Sequence, residues 1–381
     1  MTMAPKRFVI LSLLTVSCGV ASATEVETMP TAEMDSVKVV TETAEKNGKF
    51  KNFMQKANPS LKFGGFIVGK YSIDDKRSAS KSYNNSFDMR YLRLYANGYC
   101  FDDFYYRFQL EVNGSPGEDR GPRLLDAFVE WQRYDFAKIK LGQFKRPFGF
   151  ENPYSPLNVG HGSYSQISTK LASLNDRIGE HKSNGRDVGV QLQGDLFKSD
   201  RGHHWLHYQV GLFNGQGINH ADKDNFKDLI GGLWISPVKD LCIGGFGWNG
   251  RYTNESELTE QVKRQRWGVG LKYESDYTVR AEYMASYGGV VGKPTAPTKS
   301  DGWYATVGVP VVKNLKLYAR WDCYRDAMTW ESLQTNYGFS ANYTLGKNLI
   351  FQANYAFTDK RGPAKLGNHY NTFDIQVYAR F

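Results

Sequence analysis

TFDIQVYARF, Thr372 to Phe381, alternates apolar and polar side chains without a break, and no residue follows it. A β-strand sends successive side chains to opposite faces, so Phe373, Ile375, Val377, Ala379 and Phe381 share one side of an amphipathic strand. Charged residues make up 23% and aromatic residues 14% of the chain, and its mean hydropathy is −0.52. That composition excludes a bundle of hydrophobic helices in a membrane, whereas a closed β-barrel needs only every second residue apolar. The expected fold class is all-β, a transmembrane β-barrel.

A strand that ends flush on Phe381 resembles the closing strand and assembly signal of bacterial outer-membrane barrels, and the other terminus agrees. Lys6 and Arg7 form a positive n-region, Phe8 to Ala21 an apolar stretch, and Ala21-Ser22-Ala23 a small-x-small cleavage site. Residues 1–23 therefore read as a secretory signal peptide. Cys18 invites a lipoprotein reading, but Thr15 stands where a lipobox usually has Leu, which favours simple cleavage. Beyond it no apolar run of about 18 residues occurs, so no helical anchor is expected. Residues 24–60 are polar and lack alternation, a periplasmic lead-in that is either disordered or a short helix or coiled coil. Cys100, Cys242 and Cys323 lack any C-x-x-C or Cys/His spacing, which predicts neither a disulfide framework nor a metal site. His203, His204 and His207 belong to no nucleophile-base-acid pattern, so neither an enzyme nor a cofactor is expected.

From Leu61 onward the chain breaks into short period-two segments. In Phe104 to Val112 the residues Phe104, Tyr106, Phe108, Leu110 and Val112 share one face, while Tyr105, Arg107, Gln109 and Glu111 share the other. Tight joins fall near Phe101-Asp102, Tyr134-Asp135, Lys198 to Gly202, Pro237 to Asp240, Ser275-Asp276, Lys313-Asn314 and Gly346-Lys347. Longer polar joins lie between them, at Asp75 to Asn85, Ser115 to Pro122, Asn152 to Asn184, Gly215 to Asn225, Thr253 to Val262, Gly289 to Ser300, Ala327 to Ser332 and Lys360 to Asn371. Seven short and eight long joins in alternation predict sixteen antiparallel strands over residues 61–381, with short periplasmic turns and long outer loops. A soluble sandwich would explain the alternation but not that rhythm. A barrel of this size encloses water. The 24 Tyr and 23 Phe, many near strand ends as at Tyr95, Tyr99, Phe101, Phe104, Tyr134, Tyr273, Tyr277 and Tyr343, read as interfacial girdles.

The formal charge is +9. On strands with clear alternation the polar face carries Arg107, Lys138, Lys140, Arg266, Lys272, Arg280, Lys316 and Arg320, together with Glu111, Asp126, Glu130, Glu282 and Asp322. Arg280 and Glu282, like Arg320 and Asp322, stand two apart on one face, which predicts cross-strand ion pairs for many of them. The cations left over would draw anions into the lumen. The longest join, Asn152 to Asn184, follows the fifth strand and carries Lys170, Arg177 and Lys182, with Gly160, Gly162 and Gly179 to bend it. A loop of that length is expected to fold into the lumen and set its width, a surface lid being the other option.

Several stretches carry a family resemblance: Lys140 to Glu151 (KLGQFKRPFGFE), Gly185 to Val190 (GRDVGV), Phe213 to Gly217 (FNGQG), Met89 to Leu94 (MRYLRL), Asp126 to Glu130 (DAFVE) and Ala319 to Asp322 (ARWD). Together they resemble the phosphate-selective porin O and P family in its Bacteroidetes-type form, and the likeness covers essentially the whole barrel segment. The resemblance implies a bacterial outer-membrane channel, commonly a homotrimer, that passes small anions such as phosphate along arginines and lysines. Arg107, Lys140, Lys145, Arg146, Arg186, Arg280 and Arg320 are the candidate lumen cations, and Lys170, Arg177 and Lys182 the candidate constriction cations. The partners expected are outer-membrane lipid and small anionic solutes, with other outer-membrane proteins as an option and no nucleic acid. Two alternatives stay open: a nutrient or oligosaccharide pore, with Tyr105, Tyr304 and Tyr318 to stack on sugar rings, and an occluded barrel serving as a structural subunit of a larger complex.

Overall fold

A computed structural model describes residues 60–77, 82–114, 121–254, 256–257, 259–362 and 367–381. The signal segment and nearly all of the lead-in, residues 1–59, lie outside them. Sixteen strands follow in order: β1 (Lys62–Asp74), β2 (Asn84–Phe101), β3 (Phe104–Glu111), β4 (Arg123–Tyr134), β5 (Ala137–Lys145), β6 (Arg186–Lys198), β7 (His204–Phe213), β8 (Asp228–Ile235), β9 (Leu241–Thr253), β10 (Gln261–Glu274), β11 (Thr278–Tyr287), β12 (Lys299–Val312), β13 (Leu315–Arg325), β14 (Leu333–Leu345), β15 (Leu349–Lys360) and β16 (His369–Arg380). Each pairs antiparallel with its sequence neighbours, and β16 returns to β1 through Val68 opposite Tyr378 and Phe66 opposite Arg380. The sheet is a closed barrel without an edge, which is what a strand structure in hydrocarbon requires. Its short and long connections fall where the sequence puts them.

Alternation decides which side of the wall each residue occupies. Phe108, Leu141, Val190, Leu233, Val269, Val307 and Phe339 are exposed on the outside, and the girdle residues Tyr99, Phe101, Phe104, Tyr134, Tyr277 and Tyr343 are exposed as well. Tyr95 departs from the girdle expectation and lines the lumen. The period slips within β2: Val68 pairs with Tyr91 and Gly69 with Met89, which leaves Arg90 as a bulged residue. The bulge lets two arginines three residues apart serve the lumen, for Arg90 reaches the Gly162 carbonyl and Gln376 while Arg93 is buried against Glu111.

The lumen also contains an apolar core. Phe213 on β7, Ile230 on β8, Phe246 and Trp248 on β9, Met284 on β11 and Tyr304 on β12 pack with Phe148, Phe150, Ile167, Leu171 and Ala172 of the β5–β6 connection. β7, β8, β9, β11 and β12 therefore turn apolar or aromatic side chains inward, and the connection rests on them.

Candidate functional site

The connection from Arg146 to Gly185 folds into the barrel, and the strand wall holds it along its whole length. Phe150 and Glu151 donate their backbone N–H groups to the Glu282 carboxylate of β11 at 2.7 and 2.9 Å. Arg280 of the same strand donates to the Val159 carbonyl at 2.8 Å and the Asn158 carbonyl at 3.2 Å. Asn342 and Gln352, on β14 and β15, donate to the Gly160 carbonyl at 2.8 and 3.0 Å. Gly160 has φ +83°, and a Cβ there would lie 2.5 Å from the Tyr318 ring, so only glycine fits this approach to the wall. Arg320 on β13 donates to the Ser163 carbonyl at 2.7 Å and to Glu151 at 2.6 Å. Asp322 accepts the Gln166 backbone N–H at the start of a single-turn helix, α1 (Gln166–Lys170), whose N-cap Ser165 is itself bonded to Glu151.

The returning half of the loop is locked by charge. Arg146 pairs with Glu180 at 3.1 Å and Asp187 at 2.7 Å; Arg264 pairs with Glu180 at 2.7 Å and Asp228 at 3.4 Å; Arg266 pairs with Asp176 at 2.6 Å. All three guanidiniums lie about 5 Å from the centre of the Trp248 ring, at 5.0, 4.8 and 4.9 Å. Burial alone would raise the Asp176 and Glu180 carboxyls. Arg266 and Arg264 beside the first, and Arg146 and Arg264 beside the second, outweigh it and hold both below the usual carboxylate range. A buried ion of this kind is costly to leave alone, which is why the network is closed upon itself.

Part of the expected ladder of cross-strand pairs forms, Arg107 with Asp126, Lys140 with Glu130 and Arg280 with Glu274, while other charges serve the loop. Arg320 pairs with Glu151 of the loop, and Glu282 and Asp322 take loop N–H groups. The charges two apart on β11 and β13 are anchors for the inserted segment. Tyr304, considered for sugar stacking, is buried beneath that segment with its hydroxyl on Glu282 at 2.8 Å.

Open space remains beside another part of the wall. A cavity of about 710 Å³ lies toward the short-turn side, between the inward faces of β1 to β7 and residues 146–158. Seven cationic side chains line it, Arg93, Arg107, Lys140, Lys145, Arg146, Arg186 and Arg380, and Asp126 is the one carboxylate among its lining residues. Asp126 is shared by Arg186 at 2.6 Å and Arg107 at 3.5 Å, Glu111 by Arg93 at 3.1 Å and Arg123 at 3.6 Å, and Lys140 meets Glu130 at 3.2 Å. The Lys145 ammonium donates to the carbonyls of Asn152 and Tyr154 and, among the described residues, has no carboxylate within ion-pair distance. The Arg380 Nε is buried without a hydrogen-bond partner among the described residues. Charge compensation is thus incomplete on this side of the lumen.

Five of the seven candidate lumen cations, Arg107, Lys140, Lys145, Arg146 and Arg186, meet around this chamber, while Arg280 and Arg320 lie under the loop. Lys170 and Arg177 line a second cavity of about 650 Å³ on the long-loop side, with Lys360 and Arg361. The side chain of Lys182 lines neither cavity, and its carbonyl accepts a bond from Arg123 at 3.0 Å. Sequence reasoning missed Arg93 and Arg380. Arg380 was legible, since it stands on the polar face of the closing strand; Arg93 was hidden by the bulge.

A sixteen-stranded barrel with a loop folded into a charged, hollow lumen defines a porin. Comparison with known proteins agrees: residues 65–202 match the model of phosphate-selective porins O and P, and residues 238–363 match that of Gram-negative porins. The chain is a porin of the bacterial outer membrane, a channel for the passive diffusion of small solutes. Among solved structures it is similar to an anion-selective porin from Comamonas acidovorans (13% identity, 84% of this chain and 99% of that one, TM-score 0.63). It is also similar to the outer membrane channel DcaP of Acinetobacter baumannii (13%, 84% and 97%, 0.58) and to a trimer form of OmpT from Vibrio cholerae (14%, 84% and 99%, 0.56). At these identities the likeness concerns the fold. None of the curated proteins compared with the chain matches it.

Proposed function

We propose that this porin prefers small anions, phosphate among them, and that they cross the barrel through the cationic chamber beside β1 to β7. The supporting observation is the lining itself: seven cations, of which five are paired with carboxylates and two, Lys145 and Arg380, have no ion pair among the described residues. In a channel with low-dielectric walls, uncompensated positive charge concentrates anions and repels cations. Arg93, Arg107 and Arg186 offer planar forks suited to phosphate oxygens, yet each already leans on a carboxylate, so an anion is held weakly enough to leave again. Lys145, bonded only to carbonyls, is the cation best placed to exchange one of those bonds for a passing anion. Current measured across a planar bilayer with a KCl gradient tests this reading: it requires a zero-current potential on the chloride side.

We further infer a homotrimer in the membrane, supported by the trimer form of one structural neighbour, OmpT of Vibrio cholerae. Crosslinking of the detergent-extracted protein should give a three-chain band.

A further inference from the structure

The route proposed above has to join the outer cavity to the inner chamber, yet the two share no lining residue. Tyr164 stands where they meet. Its side chain lines the outer cavity, its hydroxyl donates to the Tyr154 carbonyl at 2.6 Å, and its ring centre lies 5.3 Å from the Lys145 ammonium. Tyr154 and Lys145 both line the inner chamber, and the same Tyr154 carbonyl accepts from Lys145 at 2.8 Å. One aromatic ring and one lysine therefore share a single carbonyl at the boundary.

The backbone on both sides of the ring is fixed. The Ser163 carbonyl accepts from Arg320 at 2.7 Å, and Ser165 donates both its N–H and its hydroxyl to Glu151 at 2.8 and 2.6 Å. Arg320 and Glu151 are paired with each other at 2.6 Å, and Glu151 is fully buried. Two such clamps fix where the Tyr164 Cα sits against the wall.

We propose that Tyr164 sets the size limit of the channel: its ring is the septum between the two cavities, small anions pass on its Lys145 side, and bulkier solutes are refused by the ring. Arg320 and Glu151 act as positioning residues that hold the ring in place. This inference rests on the reading that solutes cross through the chamber.

The test uses the purified full chain in planar bilayers and in liposomes swollen with sugars of graded size, with heat-dependent gel mobility to show that each variant forms a barrel. Tyr164→Gly is expected to raise single-channel conductance about two-fold or more and to admit larger sugars, because the narrowest point of a water-filled pore dominates its resistance. Tyr164→Trp should lower conductance, and Tyr164→Phe, which keeps the ring, should leave it unchanged. Conductance and sugar cut-off in Tyr164→Gly equal to those of the unmodified protein would overturn the proposal. If that variant forms no barrel, Tyr164→Trp decides, and undiminished conductance there overturns it equally. The ion-preference reading fails separately, through a zero-current potential on the potassium side in the unmodified protein.

Discussion

Replacing Glu180 by Gln should free the returning half of the inserted loop while leaving the barrel intact. The Glu180 carboxylate accepts from Arg146 at 3.1 and 3.2 Å and from Arg264 at 2.7 Å, and all three side chains are buried. Glutamine keeps the shape but presents only one acceptor oxygen and no charge to two guanidiniums, so both are left short of a partner. Removing one member of a buried pair costs about 3–5 kcal/mol. At about 1.4 kcal/mol per tenfold, the bound arrangement loses a factor of roughly a hundred to a few thousand. The strand ladder does not use this side chain, so heat-dependent gel mobility should be preserved. Two readouts should change: open-channel current noise should increase, and trypsin should cut the folded barrel at Lys170, Arg177 or Lys182. Unchanged noise together with unchanged trypsin resistance would refute the argument that this ion network locks the loop.

Other expectations follow from the same contacts. Lys145→Met removes the cation that no carboxylate offsets and should move the zero-current potential toward zero without lowering barrel yield. Trp248→Ala empties the centre of the inner core and withdraws the ring against which three guanidiniums lie, a loss of about 3–5 kcal/mol that should appear as a lower unfolding temperature in detergent. His161 is buried with neither ring nitrogen bonded among the described residues, and burial, with Arg320 adding to it, pulls its pKa down to about 3. The unfolded chain therefore takes up a proton that the folded loop refuses, and stability is lost as pH falls from about 6.5 toward that value. The difference in unfolding temperature between the unmodified protein and His161→Gln should accordingly change in favour of the variant between pH 7 and pH 4; a pH-independent difference would contradict it.

The barrel was legible because a membrane wall imposes period two on every strand and because turns on its two sides differ in length. Both signals survive one at a time in a short segment such as Phe104 to Val112, and they add over sixteen. The contents of the barrel were less legible. Alternation assumes that the inward face is wet, yet Phe213, Ile230, Phe246 and Trp248 turn inward to hold a loop, and nothing in β7 to β9 alone reveals that a second apolar surface arrives from residues 148–172. Which inward cations face water and which are anchors also depends on partners far away in sequence: Arg320 with Glu151 and Arg264 with Glu180 are contacts that no spacing rule encodes. The stretches with the strongest family likeness prove to be largely the anchoring parts, for Arg146, Asp187 and the Gly215 backbone N–H form one cluster around the loop's return.

The most direct measurement is the zero-current potential of the purified porin in a planar bilayer under a KCl gradient. A cationic chamber as the conducting path predicts a value on the chloride side that shrinks in Lys145→Met, whereas a value on the potassium side would contradict it.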